Sequence, residues 1–148
     1  MGYTQLLEKT SIKIVSQNVR GFTEEKMEVI IQNMKEKDVQ VACIQETWRV
    51  TPTGREEETI DGFLIVHHGE KARSCNRGRL GVAIILNKKA RQAWEAGGEK
   101  VRVSGDGRVI SVDLLLVGAK IMTVCSAYAP CSSEPFVERQ TFLDDVST

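Results

Sequence analysis

Between Ile12 and Ile44 the hydrophobic pattern changes period twice, and this restricts the fold more than any other stretch of the chain. Ile12, Ile14 and Val15 in "IKIVSQ" read as a short strand that stops at Asn18. Met27, Ile30, Ile31 and Met34 then recur at i, i+3, i+4 and i+7, the apolar stripe of a helix. Thr23 offers its N-cap, and Glu24 and Glu25 suit the positive end of its dipole. Val39 to Ile44 is the second strand. Short links between strand, helix and strand imply a right-handed crossover between parallel neighbours. Parallel strands end on one edge, so Asn18 and Glu46 should lie side by side there, where open α/β sheets bind ligands. A glutamate such as Glu46, in "VACIQETW", is costly at the lip of a buried sheet unless something compensates its desolvation.

Beyond Trp48 the pattern becomes antiparallel. The polar segment "RVTPTGREEETIDG" reads as exposed, Phe63 to Val66 as a short strand, and "GVAIILN" as a more deeply buried one. "RVISVDLLLV" and "KIMTVCSAYA" flank Gly118 and Ala119 as a hairpin. Ser133 can cap a last helix with Pro135 in its first turn and Phe136, Phe142, Leu143 and Val146 on its buried side. The expected class is α/β in the α+β sense, with a mixed, largely antiparallel sheet. Residues 1–10 read as an N-terminal tail and 11–148 as one domain.

Lys plus Arg and Asp plus Glu both number 20, so net charge does not direct the chain to nucleic acid or membrane, and any electrostatic argument is local. Cys43, Cys75, Cys125 and Cys131 match no metal-binding spacing, and Cys43 and Cys125 sit in apolar runs as buried hydrophobes do. "MGYTQLLEKT" has no signal-peptide core, and no apolar run could cross a bilayer. The expected location is intracellular.

"SQNVRGF", "CIQETW", "GRLGVAIIL", "GRVISVDL" and "SAYAP" follow one another in the order and rough spacing of the endonuclease/exonuclease/phosphatase superfamily. The chain resembles that superfamily over roughly residues 11–135. The tract "GFLIVHHG" to "GRLGVAIIL" is most similar to non-LTR retrotransposon endonuclease domains and the craniofacial development protein 2-like group. The resemblance implies the N-terminal half of a four-layer α/β sandwich. It implies a Mg²⁺-dependent DNA endonuclease, with Mn²⁺ as an alternative ion, whose intact form attacks a phosphodiester with water and leaves a 3′-hydroxyl.

Matched positions carry implied roles. Glu46 resembles the metal-binding carboxylate, Asn18 the asparagine beside the ion and scissile phosphate, and Tyr128 the tyrosine that bonds the phosphate. Arg20 stands where apurinic endonucleases carry aspartate and deoxyribonuclease I carries arginine, which favours a phosphate contact there. Read without the family, Glu46 is a surface residue at a strand end, Asn18 a turn residue, Tyr128 a hairpin terminus and Arg20 a solvated cation.

From Lys71 to Arg91 there are cations and no carboxylates, and Arg77, Arg79, Lys88 and Lys89 are candidates for contact with a DNA backbone. A solvated basic loop is the plainer account. His67 and His68 lie too early in the chain to match the family's catalytic histidine and are expected to be structural or to line a substrate loop. Trp48 and Trp94 are expected to pack.

The superfamily's second half carries G-D-x-N and S-D-H motifs for positioning and deprotonating the nucleophile, and neither occurs here. The chain therefore reads as an incomplete fragment, inactive alone, whose partners would be DNA, the C-terminal half of the domain and a reverse transcriptase. Such a half is expected to supply about one sheet and to leave faces such as "GVAIIL" and "VDLLLV" partly uncovered. The alternatives are another phosphoesterase of the same superfamily and a degenerate DNA- or partner-binding fragment.

Overall fold

A computed structural model describes residues 11–72, 80–130 and 136–147. The first strand, β1 (Ile14–Asn18), leads into helix α1 (Glu24–Lys37) and returns as β2 (Val41–Gln45), which pairs with β1 in parallel. Thr23 caps α1 by accepting from Lys26 N at 3.2 Å, and Asp38 ends the helix in a left-handed conformation. The expected crossover is present.

Next come β3 (Glu56–Ile60), β4 (Phe63–His68), β5 (Val82–Leu86), helix α2 (Lys88–Ala96) and strands β6 (Val101–Ser104), β7 (Val109–Leu116) and β8 (Lys120–Ala127). A 3₁₀ turn over Val117–Ala119 joins β7 to β8, and helix α3 (Phe136–Ser147) follows. Strands β1-β2-β5-β4-β3 form one mixed sheet and β6-β7-β8 a second, antiparallel one. The α/β fold with mixed and antiparallel pairing agrees with the sequence reading.

Three layers follow from side-chain alternation. In β5, Ala83 and Ile85 point toward α1 and join Met27, Ile30, Ile31 and Met34. Val82, Ile84 and Leu86 point the other way, onto Ile110, Val112 and Leu114 of β7 and onto Ala90, Ala93 and Trp94 of α2. Each such aliphatic side chain contributes about 1.5–3 kcal/mol on burial. A strand buried on both faces must be apolar at every position, which is why "VAIIL" does not alternate.

This corrects the expectation that the chain supplies about one sheet with uncovered faces. Residues Val82 to Leu86 are fully buried because the β7–β8 hairpin belongs to a second sheet that lies over the first. Exposure falls instead on the outermost strands, at Ile14 and Val15 of β1 and Ile121 of β8.

Three elements escaped the sequence reading. Strand β3 runs through the segment taken as exposed and polar; its glutamates line the sheet's edge, where charge discourages further pairing. Helix α2 and β6 were also missed. In α3, Leu143 and Val146 are exposed rather than buried, while Thr141, Phe142 and Asp145 border a cavity shared with the Gly105–Arg108 turn. Ser133, Pro135, Cys75, Cys131 and the tail lie outside the described residues.

Candidate phosphoester and metal site

The carboxyl edge of β1 and β2 is built by backbone bonds that continue past the strands. Asn18 lies opposite Gln45. Val19 N donates to Gln45 O at 3.0 Å, Gly21 N to Glu46 O at 2.8 Å and Phe22 N to Thr47 O at 2.9 Å. The loops carrying Arg20 and Glu46 are thus bonded to each other on either side of Arg20. Arg20 and Glu46 both have left-handed backbones, with φ of 49° and 54°. Non-glycine residues persist there only when their surroundings over-determine them, and such positions concentrate at functional sites.

A second wall comes from the other sheet. Ser126, buried near the end of β8, donates to Ile44 O at 2.9 Å and accepts from Gln45 Nε2 at 3.1 Å. These bonds fix the end of β8 beside the end of β2. One step on, the Tyr128 hydroxyl donates to Glu46 Oε1 across 3.4 Å. Directly opposed residues of parallel strands project to one face, so Asn18 shares the face on which Gln45 meets Ser126. Asn18, Glu46 and Tyr128 therefore gather at one mouth between the sheets, with Arg20 on the adjoining loop.

A third wall needs glycine. Thr47 N donates to Gly81 O at 3.1 Å, Trp48 N to Leu80 O at 2.9 Å, and Gly81 N to Gly107 O at 2.9 Å. Gly81 has φ of 119°, and a Cβ there would collide with Thr47 Oγ1.

Arg108 belongs to the same mouth and was not singled out from sequence. Its carbonyl accepts from Tyr128 N at 2.8 Å, its Nη1 donates to Tyr128 O at 3.2 Å, and its guanidinium stands 5.9 Å from the Tyr128 ring. The signal was in the hairpin register: Val109 pairs with Ala127, which sets Arg108 opposite Tyr128.

Lys88 and Lys89 lie elsewhere. Leu86 pairs with Val41, at the start of β2, so the first turn of α2 is at the opposite edge from Glu46. Five residues of β5 separate the two edges, about 17 Å at strand rise. The two lysines border a groove with Lys35, Asp61 and Phe63. Arg77 and Arg79 lie outside the described residues, and the described chain resumes at Leu80, which bonds Trp48 at the site edge.

The histidines are interior. His67 Nε2 lies 2.8 Å from Glu58 Oε2, while burial and the nearby Arg49 lower its pKa against the opposing pull of Glu58. His68 is held between Gly54 O at 2.6 Å and Gly105 O at 2.7 Å. Both serve structure. So does Trp94, buried and donating to Lys100 O at 3.1 Å, and the Trp48 ring lies against Gly21. Burial, then the neighbouring Cys125, push the Cys43 thiol up to about 11, as expected of an inert core cysteine, whereas Cys125, expected to be buried as well, is exposed on β8.

Glu46 and Asn18 both carry hard oxygens, a carboxylate and an amide carbonyl. Among the described residues no three His, Cys, Asp or Glu side chains converge on a common point. That set does not make an all-protein cage. It does fit Mg²⁺, which keeps most of its waters and binds through one or two protein oxygens plus phosphate.

No protein-family model matches the chain, and no curated protein does. Among solved structures it is similar to the AP endonuclease LMAP from Leishmania major, with a TM-score of 0.59 at 17% identity over 85% of this chain and 42% of that one. It is also similar to the Xenopus laevis APE2 catalytic domain, with a TM-score of 0.52 at 21% identity over 88% of this chain and 49% of that one. Among the described residues no helix is long and apolar enough to cross a membrane. The chain has an AP endonuclease-like fold across most of its own length and spans less than half the length of either neighbour.

Proposed function

We propose that this chain is the metal- and phosphate-binding part of a Mg²⁺-dependent DNA endonuclease. The observation that carries the reading is the meeting of Glu46 and Tyr128 from different sheets, at the strand edge where Asn18 ends. Glu46 and Asn18 hold the ion, with Mn²⁺ as the alternative metal. Tyr128 donates to a phosphate oxygen, and Arg20 supplies positive charge from the adjoining loop. The bound ion would contribute neutralisation of charge on the phosphate. The chain's own residues orient the phosphodiester between the two sheets and screen one side of it from water.

The motif order favours a retrotransposon or retrotransposon-derived source, and with it a nuclear location. In that setting the complementary part of the domain supplies the groups that activate water, and this chain alone is inactive. The two neighbours' names, AP endonuclease and APE2, agree with DNA as the substrate class. Arg77 and Arg79 contact the DNA backbone, while Lys88 and Lys89 reach only DNA that extends to the far edge.

The test is a Mn²⁺ titration followed by electron paramagnetic resonance. Wild type should bind one ion, and Glu46→Gln should weaken binding about tenfold or more, a loss of about 1.4 kcal/mol. Equal affinity in both proteins removes Glu46 from the site and the reading with it.

A further inference from the structure

We propose that Arg49 is a positioning residue for this site, holding in one arrangement the two loops that carry Arg20 and Glu46; the inference rests on the functional reading above. Arg49 Nε and Nη2 both donate to Phe22 O, at 3.4 and 3.3 Å. Its Nη1 donates to Glu58 Oε2 at 3.3 Å, and the same oxygen is 2.8 Å from His67 Nε2. The guanidinium also stands 5.9 Å from the Phe22 ring, which is itself buried and tilted against His67 at 6.0 Å. One side chain therefore joins the loop after β1, the loop after β2 and the edge strand β3.

The site needs such a joint. Arg20, Glu46 and Trp48 all have left-handed backbones without being glycine, so local preference does not hold these loops in place. On the site side they are tied by the Gly21–Glu46 and Phe22–Thr47 bonds, and Arg49 closes the ring from behind. A planar guanidinium suits this task because it reaches one carbonyl and one carboxylate at fixed angles, which an ammonium does not.

The cluster is not what core stability alone would select. His67 Nδ1 is buried without a partner, a desolvation cost that an apolar side chain at that position would avoid. Here the histidine fixes Glu58, and Glu58 fixes Arg49. Neither Glu58 nor Arg49 touches the candidate ligands, so both act through Phe22 and the loop backbones.

Residue-resolved amide hydrogen exchange on the whole chain tests this, with Mn²⁺ affinity as the second readout. Arg49→Gln should speed exchange at Gly21 and Phe22 about tenfold, leave Ile84 and Ile85 amides and the melting midpoint unchanged, and weaken Mn²⁺. Arg49→Lys should recover little of this. Glu58→Gln, at a half-exposed position where folding is not threatened, should move the same amides in the same direction. Unchanged exchange at Gly21 and Phe22, or a uniform rise along the chain, overturns the proposal. Wild-type protein that binds no Mn²⁺ defeats the functional reading instead, and the exchange result still decides whether Arg49 holds the loops.

Discussion

The Tyr128 hydroxyl stands 3.4 Å from Glu46 Oε1 although 82 positions separate them in sequence, and the two come from different sheets. At that length the bond is weak, and a phosphate oxygen would be a stronger acceptor for the phenol. Tyr128→Phe should therefore leave Mn²⁺ affinity within about twofold. A hydrogen bond to a charged group contributes about 1.5–3 kcal/mol, so binding of a short DNA strand in Mn²⁺ should fall by about tenfold or more. Loss of Mn²⁺ binding with intact DNA binding would invert the roles assigned to the two residues.

Gly81 should tolerate substitution worse than Gly118. Both have positive φ, but a Cβ at Gly81 meets the buried Thr47 and one at Gly118 meets nothing within 4 Å. Gly118→Ala carries the backbone penalty alone, about 1 kcal/mol. Gly81→Ala adds displacement of the segment after Glu46, so it should cost more stability and also weaken Mn²⁺. Denaturant melts of both variants check the order; equal midpoints would mean that the Gly81–Thr47 contact yields freely.

His67 predicts a pH slope. Its folded pKa lies below the ordinary value of 6.5, because burial and then Arg49 disfavour the charged ring, against a smaller opposing effect of Glu58. Below pH 6.5 the unfolded chain takes up a proton that the folded chain resists. Stability therefore falls as pH drops from the unfolded toward the folded pKa and levels off beneath it. His67→Gln should flatten that part of the profile, and a slope that persists unchanged would assign it to another group.

The basic residues should divide into two groups by their effect on DNA binding. Arg77 and Arg79 precede Leu80, which bonds Trp48 beside Glu46, whereas Lys88 and Lys89 open a helix at the other end of β5. Neutralising the arginines should lower the salt dependence of binding to a short DNA by about one unit of slope per phosphate contact. Neutralising the lysines should leave it unchanged. Equal effects would mean that the bound strand spans both edges.

The start of the fold was legible because its signals are local. Met27 to Met34 repeat at helical spacing, Thr23 caps them, and the parallel return of β2 follows from the short links. Asn18 and Glu46 could be set side by side on that ground alone. What escaped depends on tertiary packing. Strand β3 reads as a charged loop because an edge strand needs little apolar surface, and α2 begins with two lysines that hide the small buried face of Ala90, Ala93 and Trp94. Arg49 was invisible for a related reason: its partners Phe22, Glu58 and His67 are scattered along the chain and meet only when both loops close.

The 148 residues by themselves should bind metal without nicking plasmid DNA. Deprotonating a water near Glu46 calls for a base within hydrogen-bond reach. The chain's two histidines are committed elsewhere, His67 to Glu58 and His68 to the carbonyls of Gly54 and Gly105. General acid–base help is worth about 10²–10⁴ in rate. Edge strands β1 and β8 expose Ile14, Val15 and Ile121, so the isolated chain should also self-associate as its concentration rises. Size measurement and a Mg²⁺-dependent nicking assay on the same preparation examine both points. A monomer that nicks DNA, and loses the activity in Glu46→Gln, would show that these residues already contain a base that the present assignment leaves out.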